Sequence, residues 1–349
     1  MKSAPQRSID DLLREAQDTG ASDVHLAPGR PPYFRHDGQL KPAAPEDLAP
    51  QDIAGLIEQL LQHNEPARLS VEQKHQADFS YALPDNSRFR VNVFFRLGLP
   101  AASLRVVPSS IRSVEELNLP PQLLKLTELK QGFVLAAGPA GHGKSTTLAA
   151  LLNHINSQRC EHIITIEDPI EYQFIDNKSL IDQREVGRDT ASFLEAIRAA
   201  LRQDPNIVLV GELRDYESMR AALTLAETGH LVFSSLHTND AAQSVERIID
   251  SFPPAQQSQV RSQLAATLSG VVSQRLLPRR QGGRIPAVEI MVATTAIRAV
   301  IRENKIHQIM GIIETSGDSG MQTLDAHLQS LISLGEVTPE AALPWLRLA

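Results

Sequence analysis

The sequence predicts an α/β protein in three parts: a small α+β domain over residues 1–108, a linker over 109–123, and a larger α/β domain over 124–349 that ends in helices. Three observations carry that prediction. A glycine-rich turn, Gly138 to Ser145, sits between an apolar run and a helix-forming stretch. After residue 124, short continuous apolar runs alternate with helical patterns, which is how strands buried on both faces of a parallel sheet read. Before residue 108 the apolar residues alternate with polar ones, the period of antiparallel strands.

Taken in order, residues 1–7 read as a tail and Ser8 is placed to cap a helix, with Asp10 and Asp11 in its first turn and Ile9, Leu12 and Leu13 on one face. Gly20 stops it. SDVHL (22–26) follows as a strand, and a turn-rich passage from Pro28 to Gly38 leads to a helix near Pro50–Asn64. There Ile53, Leu56, Ile57 and Leu60 are spaced for burial. Segments 77–83, 88–96 and 102–108 read as antiparallel strands, the first turn being Pro84-Asp85-Asn86-Ser87. Pro120-Pro121 interrupts the linker. The apolar runs beyond it are FVLAAG, HIITIED, NIVLVGE and HLVFSSLHT, with a helical stretch at 189–203. From about residue 255 the composition reads as helical, including the whole of QSQVRSQLAATLSGVVSQRLL (257–277).

Composition narrows the function classes. Hydrophobic content of 42% and charged content of 21% are ordinary for a soluble globular protein. A net charge of −7 and an aromatic content of 4% argue against nucleic acid as the main ligand. One cysteine, Cys160, excludes an intramolecular disulfide framework and any multi-cysteine zinc site, so a reducing cytosol is the expected home. The start lacks a signal peptide's apolar core, and no run approaches the roughly 18 apolar residues that span a bilayer. Any work at a membrane is expected to go through a partner.

The chemistry is expected at the ends of the apolar runs. Gly138, Pro139, Ala140, Gly141, His142, Gly143, Lys144, Ser145 and Thr146 form a G-x-x-x-x-G-K-[ST] phosphate loop. Its glycines let backbone N–H groups converge on phosphate oxygens, and the following helix adds its N-terminal amides. Lys144 is expected on the β- and γ-phosphates of a nucleoside triphosphate, and the Ser145 hydroxyl on Mg²⁺. Glu167, Asp168 and Glu171 crowd three carboxylates into five residues; phosphoryl transfer to water needs such groups to orient the water and hold Mg²⁺. Glu212 ends a four-residue apolar run where an Asp-Glu pair is usual. His230 and His237 bracket another run beside Thr228 and Thr238, placed to sense a γ-phosphate or a neighbouring subunit and too far apart to share one metal.

These blocks, in this order, resemble the secretion ATPases of the type II/type IV pilus superfamily, and most nearly its PilT-type retraction ATPases. ASDVHL (21–26) and RFRVNVF (88–94) resemble the PAS-like N-terminal domain of that family. GPAGHGKSTT (138–147), IEDPIEY (166–172), LVGELRD (209–215) and AETGHLVFSSLHT (226–238) resemble its Walker A motif, Asp box, atypical Walker B and His box. AIRAVIRE (296–303) and GMQTLD (320–325) fall where similar runs stand. The resemblance implies a RecA-like P-loop ATPase domain and a homohexamer with ATP and Mg²⁺ between the N-terminal domain of one copy and the RecA-like domain of the next. It implies arginine fingers in trans, for which Arg90 and Arg105 fit, with Arg88 and Arg96 as alternatives. Glu171 or Glu167 is then the water-activating base, Glu212 serves the metal or the water, and Asp168 the metal. The implied setting is the cytoplasmic face of the inner membrane, with an inner-membrane pilus platform protein and a paralogous pilus ATPase as partners.

The sequence departs from the family pattern at Ala140 and His142, at Ser234-Ser235 for Gly-Thr, and at Ala299-Val300 for Asn-Leu. His142 is expected to alter nucleotide affinity or add a pH-dependent charge. Around AIRAVIRE, Thr294 or Thr295 is placed to cap a helix with Ile297, Val300 and Ile301 as its apolar stripe and Arg298 and Arg302 on another face. Competing readings are an assembly or type II secretion ATPase, an accessory PilT paralogue, a DNA-translocating hexamer and a non-hydrolysing regulatory subunit. Assembly enzymes usually carry a longer N-terminal region and a four-cysteine zinc module, which one cysteine cannot supply.

Overall fold

The computed structural model describes residues 7–36, 39–85, 87–108 and 110–346. Tail residues 1–6 and the expected turn and linker positions Gly38, Asn86 and Ser109 lie outside them. The chain divides into two units, Met1–Ser110 with Pro169–Gln173, and Ile111–Asp168 with Phe174–Ala349. A short piece of the Asp box belongs to the first unit.

The first unit is an antiparallel sheet of β1 (Asp23–Leu26), β2 (Tyr33–His36), β3 (Gln39–Pro42), β4 (Gln76–Ala82), β5 (Arg88–Arg96) and β6 (Leu99–Val106), ordered β3-β2-β1-β6-β5-β4. Its helices are α1 (Ile9–Asp18), α2 (Pro50–Leu61) and α3 (Glu65–Lys74). Ser8 caps α1 by accepting from Asp11 N–H, as its position predicts. Strand alternation sends Val24, Phe34, Phe89, Val91, Val93 and Leu104 into one core with Leu12, Leu13, Ile53 and Ile57 of the helices. The other face carries charged residues beside Phe94 and Ala101. One row across it pairs Ser80 with Arg90, Arg90 with Arg105, Arg105 with Asp23 and Asp23 with Arg35.

Three elements here escape the sequence pattern. In α3 only Ala67 is buried and in β3 nothing is, so neither shows an apolar stripe; β2 buries only Phe34. The last strand begins at Leu99 rather than 102, because Leu97 and Gly98 (φ 50° and 76°) make a tight two-residue turn out of β5.

The second unit holds β7 (Gly132–Ala137), β8 (His162–Glu167), β9 (Leu180–Glu185), β10 (Ile207–Val210), β11 (Leu231–Leu236), β12 (Leu268–Pro278) and β13 (Arg284–Val292). They form one sheet ordered β13-β12-β7-β11-β10-β8-β9, parallel except for β13. Helices α4 (Lys144–Gln158), α5 (Phe193–Ala200), α6 (Tyr216–Glu227), α7 (Ala241–Asp250), α8 (Pro254–Thr267), α9 (Thr295–Arg302) and α10 (Ile309–Thr315) belong to the same unit. Phe133, Leu135, Ile164, Val208 and Val232 of the sheet share a core with α5 to α10. Two further helices, α11 (Leu324–Ser333) and α12 (Pro339–Ala342), bury Leu328, Leu331 and Ala342 in a separate cluster with Leu277, Ile285 and Ala287 of the β12–β13 hairpin. The linker passes into a 3-10 turn at Pro121–Thr127.

The helical reading of 257–277 is corrected. α8 ends at Thr267 and the rest is β12, which takes the slot beside β7. Its burial is near-continuous, and the β-branched pair Val271-Val272 favours a strand. A side chain at Gly270 would stand 2.9 Å from Leu126, so the strand approaches its neighbours more closely than another residue allows.

Helix α9 adds contacts that the spacing does not show. Thr294 caps it, and Ile297, Val300 and Ile301 are buried as the spacing predicts. Arg298, however, is no solvated edge. Its Nε donates to Ala293 O at 3.0 Å, and Nη1 donates to Ala265 O and Ala266 O, both at 2.6 Å, satisfying carbonyls at the end of α8. Arg302 is exposed.

Candidate active site

Because β7, β11, β10 and β8 run parallel, their carboxyl ends lie at one edge of the sheet, where ligands of such folds bind. The phosphate loop leaves β7 there and enters α4 directly. Gly143, the residue ahead of the helix, has φ 82°, a left-handed conformation suited to glycine. Gly138 is required for space as well: a Cβ there would stand 2.5 Å from Gln274 O. Lys144 is buried, and its Nζ donates to Gly138 O at 2.7 Å and Pro139 O at 2.9 Å. Ser145 is exposed in the first turn of α4.

Strand β12 fastens the loop from the side. Gln274, 3% exposed, donates from Nε2 to His142 O and accepts at Oε1 from Thr147 Oγ1, both at 2.7 Å. The His142 ring accepts at Nδ1 from Leu276 N–H at 3.0 Å and lies edge-on to Trp345, with ring centroids 5.5 Å apart. Arg275 places its guanidinium 5.1 Å from the same indole and donates to Asn239. Burial, then the charges of Arg275, Lys144 and Arg284, hold the His142 imidazole below its usual pKa. The expected pH-dependent charge on His142 is thereby suppressed near neutrality: the ring serves as a neutral acceptor.

On the other side of β7 stand β11 and β10. Ser234 and Ser235, the pair that departs from the family pattern, donate to Val210 O and Gly211 O at 2.6 Å each and so tie the end of β11 to the end of β10. Glu212 follows. Its carboxylate accepts from Arg214 at 2.5 Å and faces His237 Nε2 at 3.5 Å. Burial works to raise the Glu212 pKa, but the Arg214 bond and charge and the His237 contact outweigh it, leaving the carboxyl below the ordinary glutamate value. His237 Nδ1 stands 3.4 Å from Lys144 Nζ. Lysine, imidazole and carboxylate thus form a chain at the mouth of the loop.

The remaining predicted residues divide. Glu167, buried at the end of β8, accepts from Thr165 Oγ1 at 2.7 Å and Gln183 Nε2 at 3.3 Å. Asp168 is exposed, 4.0 Å from Arg214. Glu171 belongs to the first unit, where Arg90 Nη1 stands 3.8 Å from its Oε1. In the same unit Arg105 donates from Nε to Asp23 at 2.9 Å while its side chain stays 69% exposed. Arg88 and Arg96 bound the same strand as Arg90. His230 is not brought to the loop. It stands at the opposite end of β11, its Nδ1 2.9 Å from Leu225 O and 3.2 Å from Thr228 Oγ1 at the end of α6.

Sequence reasoning missed Gln274, Leu276 and Trp345. The first two lay in a stretch read as helix, and no spacing rule links residue 274 to a loop more than 130 residues earlier.

The parallel sheet and a glycine-shaped loop running into a helix define a P-loop nucleotide-binding protein. Residues 2–338 match the family of Type II/IV secretion system proteins, and the chain belongs to that family. It is 45% identical over 334 residues, 96% of each chain, to the type IV pilus retraction ATPase PilT of Pseudomonas aeruginosa. To the type IV pilus ATPase PilU of the same organism it is 38% identical over 333 residues, 95% of this chain and 87% of that one. The crystal structure of the pilus retraction motor PilT with bound ADP superposes with a TM-score of 0.89 at 45% identity, covering 97% of this chain and 96% of that one. The PilT-type resemblance read from the motifs is therefore borne out, and relatives with a matching fold are named ATPases. Among the described residues no helix is long and apolar enough to cross a membrane.

Proposed function

We propose that this chain is an ATPase motor that drives type IV pilus retraction, working as a ring of six copies on an inner-membrane platform protein at the cytoplasmic face. The observation that carries the reading is the line Lys144–His237–Glu212 at the mouth of a phosphate loop, in a chain 45% identical to PilT along almost its whole length.

In this reading Lys144 exchanges the Gly138 and Pro139 carbonyls for β- and γ-phosphate oxygens of ATP. Gly141 leaves its side of the loop open, since a Cβ there would meet nothing within 4 Å. The Ser145 hydroxyl, with Glu212 and Asp168, would hold Mg²⁺, which neutralises charge on the phosphates. These hard oxygen donors suit it. A water attacks the γ-phosphorus and its proton passes to a carboxylate, while the bond to the ADP oxygen breaks. Glu171 or Glu167 is the carboxylate for that role; Glu167 is buried and accepts from Thr165 and Gln183. Arg90 and Arg105 of a neighbouring copy supply charge to the departing phosphate. A paralogous pilus ATPase is a further partner.

The test is deletion in a piliated host, scored for pilus number and twitching. Over-piliated, immobile cells support a retraction motor. Cells without pili favour an assembly ATPase, and normal twitching with reduced force favours an accessory paralogue. ATP turnover stimulated by DNA with steep salt dependence would replace all three with a DNA translocase.

A further inference from the structure

We infer that Gln274 is a positioning residue for ATP turnover, one amide that grips the phosphate loop on both sides of Lys144 and Ser145. The inference rests on the ATPase reading above and adds to it a residue outside the loop, strand ends and arginines already assigned.

Gln274 is almost wholly buried, where an amide is costly unless its groups are paired. Both of its bonds go to the loop–helix junction. The amide orientation is fixed by its partners: the His142 carbonyl can only accept, so Nε2 faces it, and Oε1 takes the Thr147 hydroxyl. Residue 142 precedes Gly143 and residue 147 is the fourth of α4, so the clamp spans the segment that carries the two phosphate-handling side chains. A second tie from the same strand, Leu276 N–H to His142 Nδ1, prevents the clamped end from turning.

The fit is close enough to shape the loop's own sequence. A Cβ at Gly143 would stand 2.8 Å from Gln274 Nε2, and one at Gly138 would stand 2.5 Å from Gln274 O. Two of the motif's glycines thus make room for β12 as well as for phosphate. A loop held in this way meets phosphate oxygens without first being ordered, which lowers the cost of binding.

The experiment uses the purified full chain. Wild type is measured first for Mg-ATP turnover and for binding of a fluorescent ADP analogue; if it does neither, the ATPase reading fails and the inference falls with it. Gln274→Met keeps the volume and removes both bonds. The expected result is an unchanged circular dichroism spectrum, with the ATP KM and the analogue's Kd each raised about tenfold. Thr147→Val removes one bond and should raise both about threefold. The double variant should be no weaker than Gln274→Met alone, because the hydroxyl has already lost its partner. Unchanged KM and Kd in folded Gln274→Met, even with a lower melting temperature, would overturn the inference, as would losses that simply multiply in the double variant. Should Gln274→Met fail to fold, Thr147→Val decides: unchanged nucleotide affinity there rejects the role.

Discussion

His237 and Glu212 face each other across the ends of two neighbouring strands, Nε2 to Oε2 at 3.5 Å. The other ring nitrogen faces Lys144, whose ammonium group only donates, so Nδ1 is the acceptor and Nε2 carries the proton towards Glu212. The imidazole is a spacer between the Lys144 ammonium group and the Glu212 carboxylate. Glu212→Gln should therefore lower the maximal ATPase rate by about 10² or more, and His237→Ala by about tenfold, both with ADP binding largely retained. Steady-state hydrolysis beside a binding titration checks this. Wild-type rates in both variants would remove the pair from the chemistry.

Arg105 is held by Asp23 yet remains mostly exposed, so its guanidinium is oriented without being covered. Arg105→Ala should leave the fold and nucleotide binding intact and reduce hydrolysis by about 10³-fold, the usual scale for an arginine finger. Lys144→Ala should be inactive alone. A mixture of the two variants should regain activity, because some interfaces would combine an intact loop with an intact finger. Absence of rescue in mixtures shown to co-assemble would place Arg105 outside any trans site.

The two arginines of α9 should part company. Arg298→Glu strips the carbonyls of Ala265 and Ala266 of their donor and buries a carboxylate beside them, a loss of about 2–4 kcal/mol. Arg302→Glu, on the exposed side, should shift stability by less than about 0.5 kcal/mol. Urea unfolding of the two variants gives the comparison. Arg302→Glu is accordingly the variant with which to ask, in cells, whether this helix passes force without touching hydrolysis. Normal twitching in that strain would mark the helix as scaffold.

Burial is the leading cause that holds His25, His142 and His327 below the usual imidazole pKa. The unfolded chain takes up those protons near pH 6.5 while the folded chain does not, so stability is complete above that value and falls as pH drops below it. Asp23 and Glu212, whose carboxyls are held low, lose their contribution only at more acid pH. Between pH 7.5 and 5.5 the urea midpoint should therefore fall. His327→Asn keeps an acceptor for Val288 N–H without a titrating ring and should flatten the slope. An unaltered slope would show that His327 does not contribute.

The sequence was most informative where one residue type has one use. The phosphate loop, the parallel runs and the polar groups at their ends are local patterns, and the sheet places them at one edge. His237 and His230 show the limit: seven positions on a strand separate them, and only the direction of β11 decides which meets the loop. The hairpin of β12 and β13 was hidden because alanine, serine and glutamine around residue 265 prolong a helical pattern into a segment that tertiary burial makes a strand. The carbonyl contacts of Arg298 were not legible, because nothing in an i, i+4 spacing reveals the end of another helix beside it.

Trp345 is the only tryptophan of the chain, and it rests edge-on against His142 within the phosphate loop and beneath the Arg275 guanidinium. The one indole of the chain is therefore placed to report on the loop proposed to bind nucleotide. Indole emission depends on what touches the ring, and here that is a loop histidine. If nucleotide binds this loop, the emission of the unmodified protein should change when ATP or ADP is added, without any attached dye.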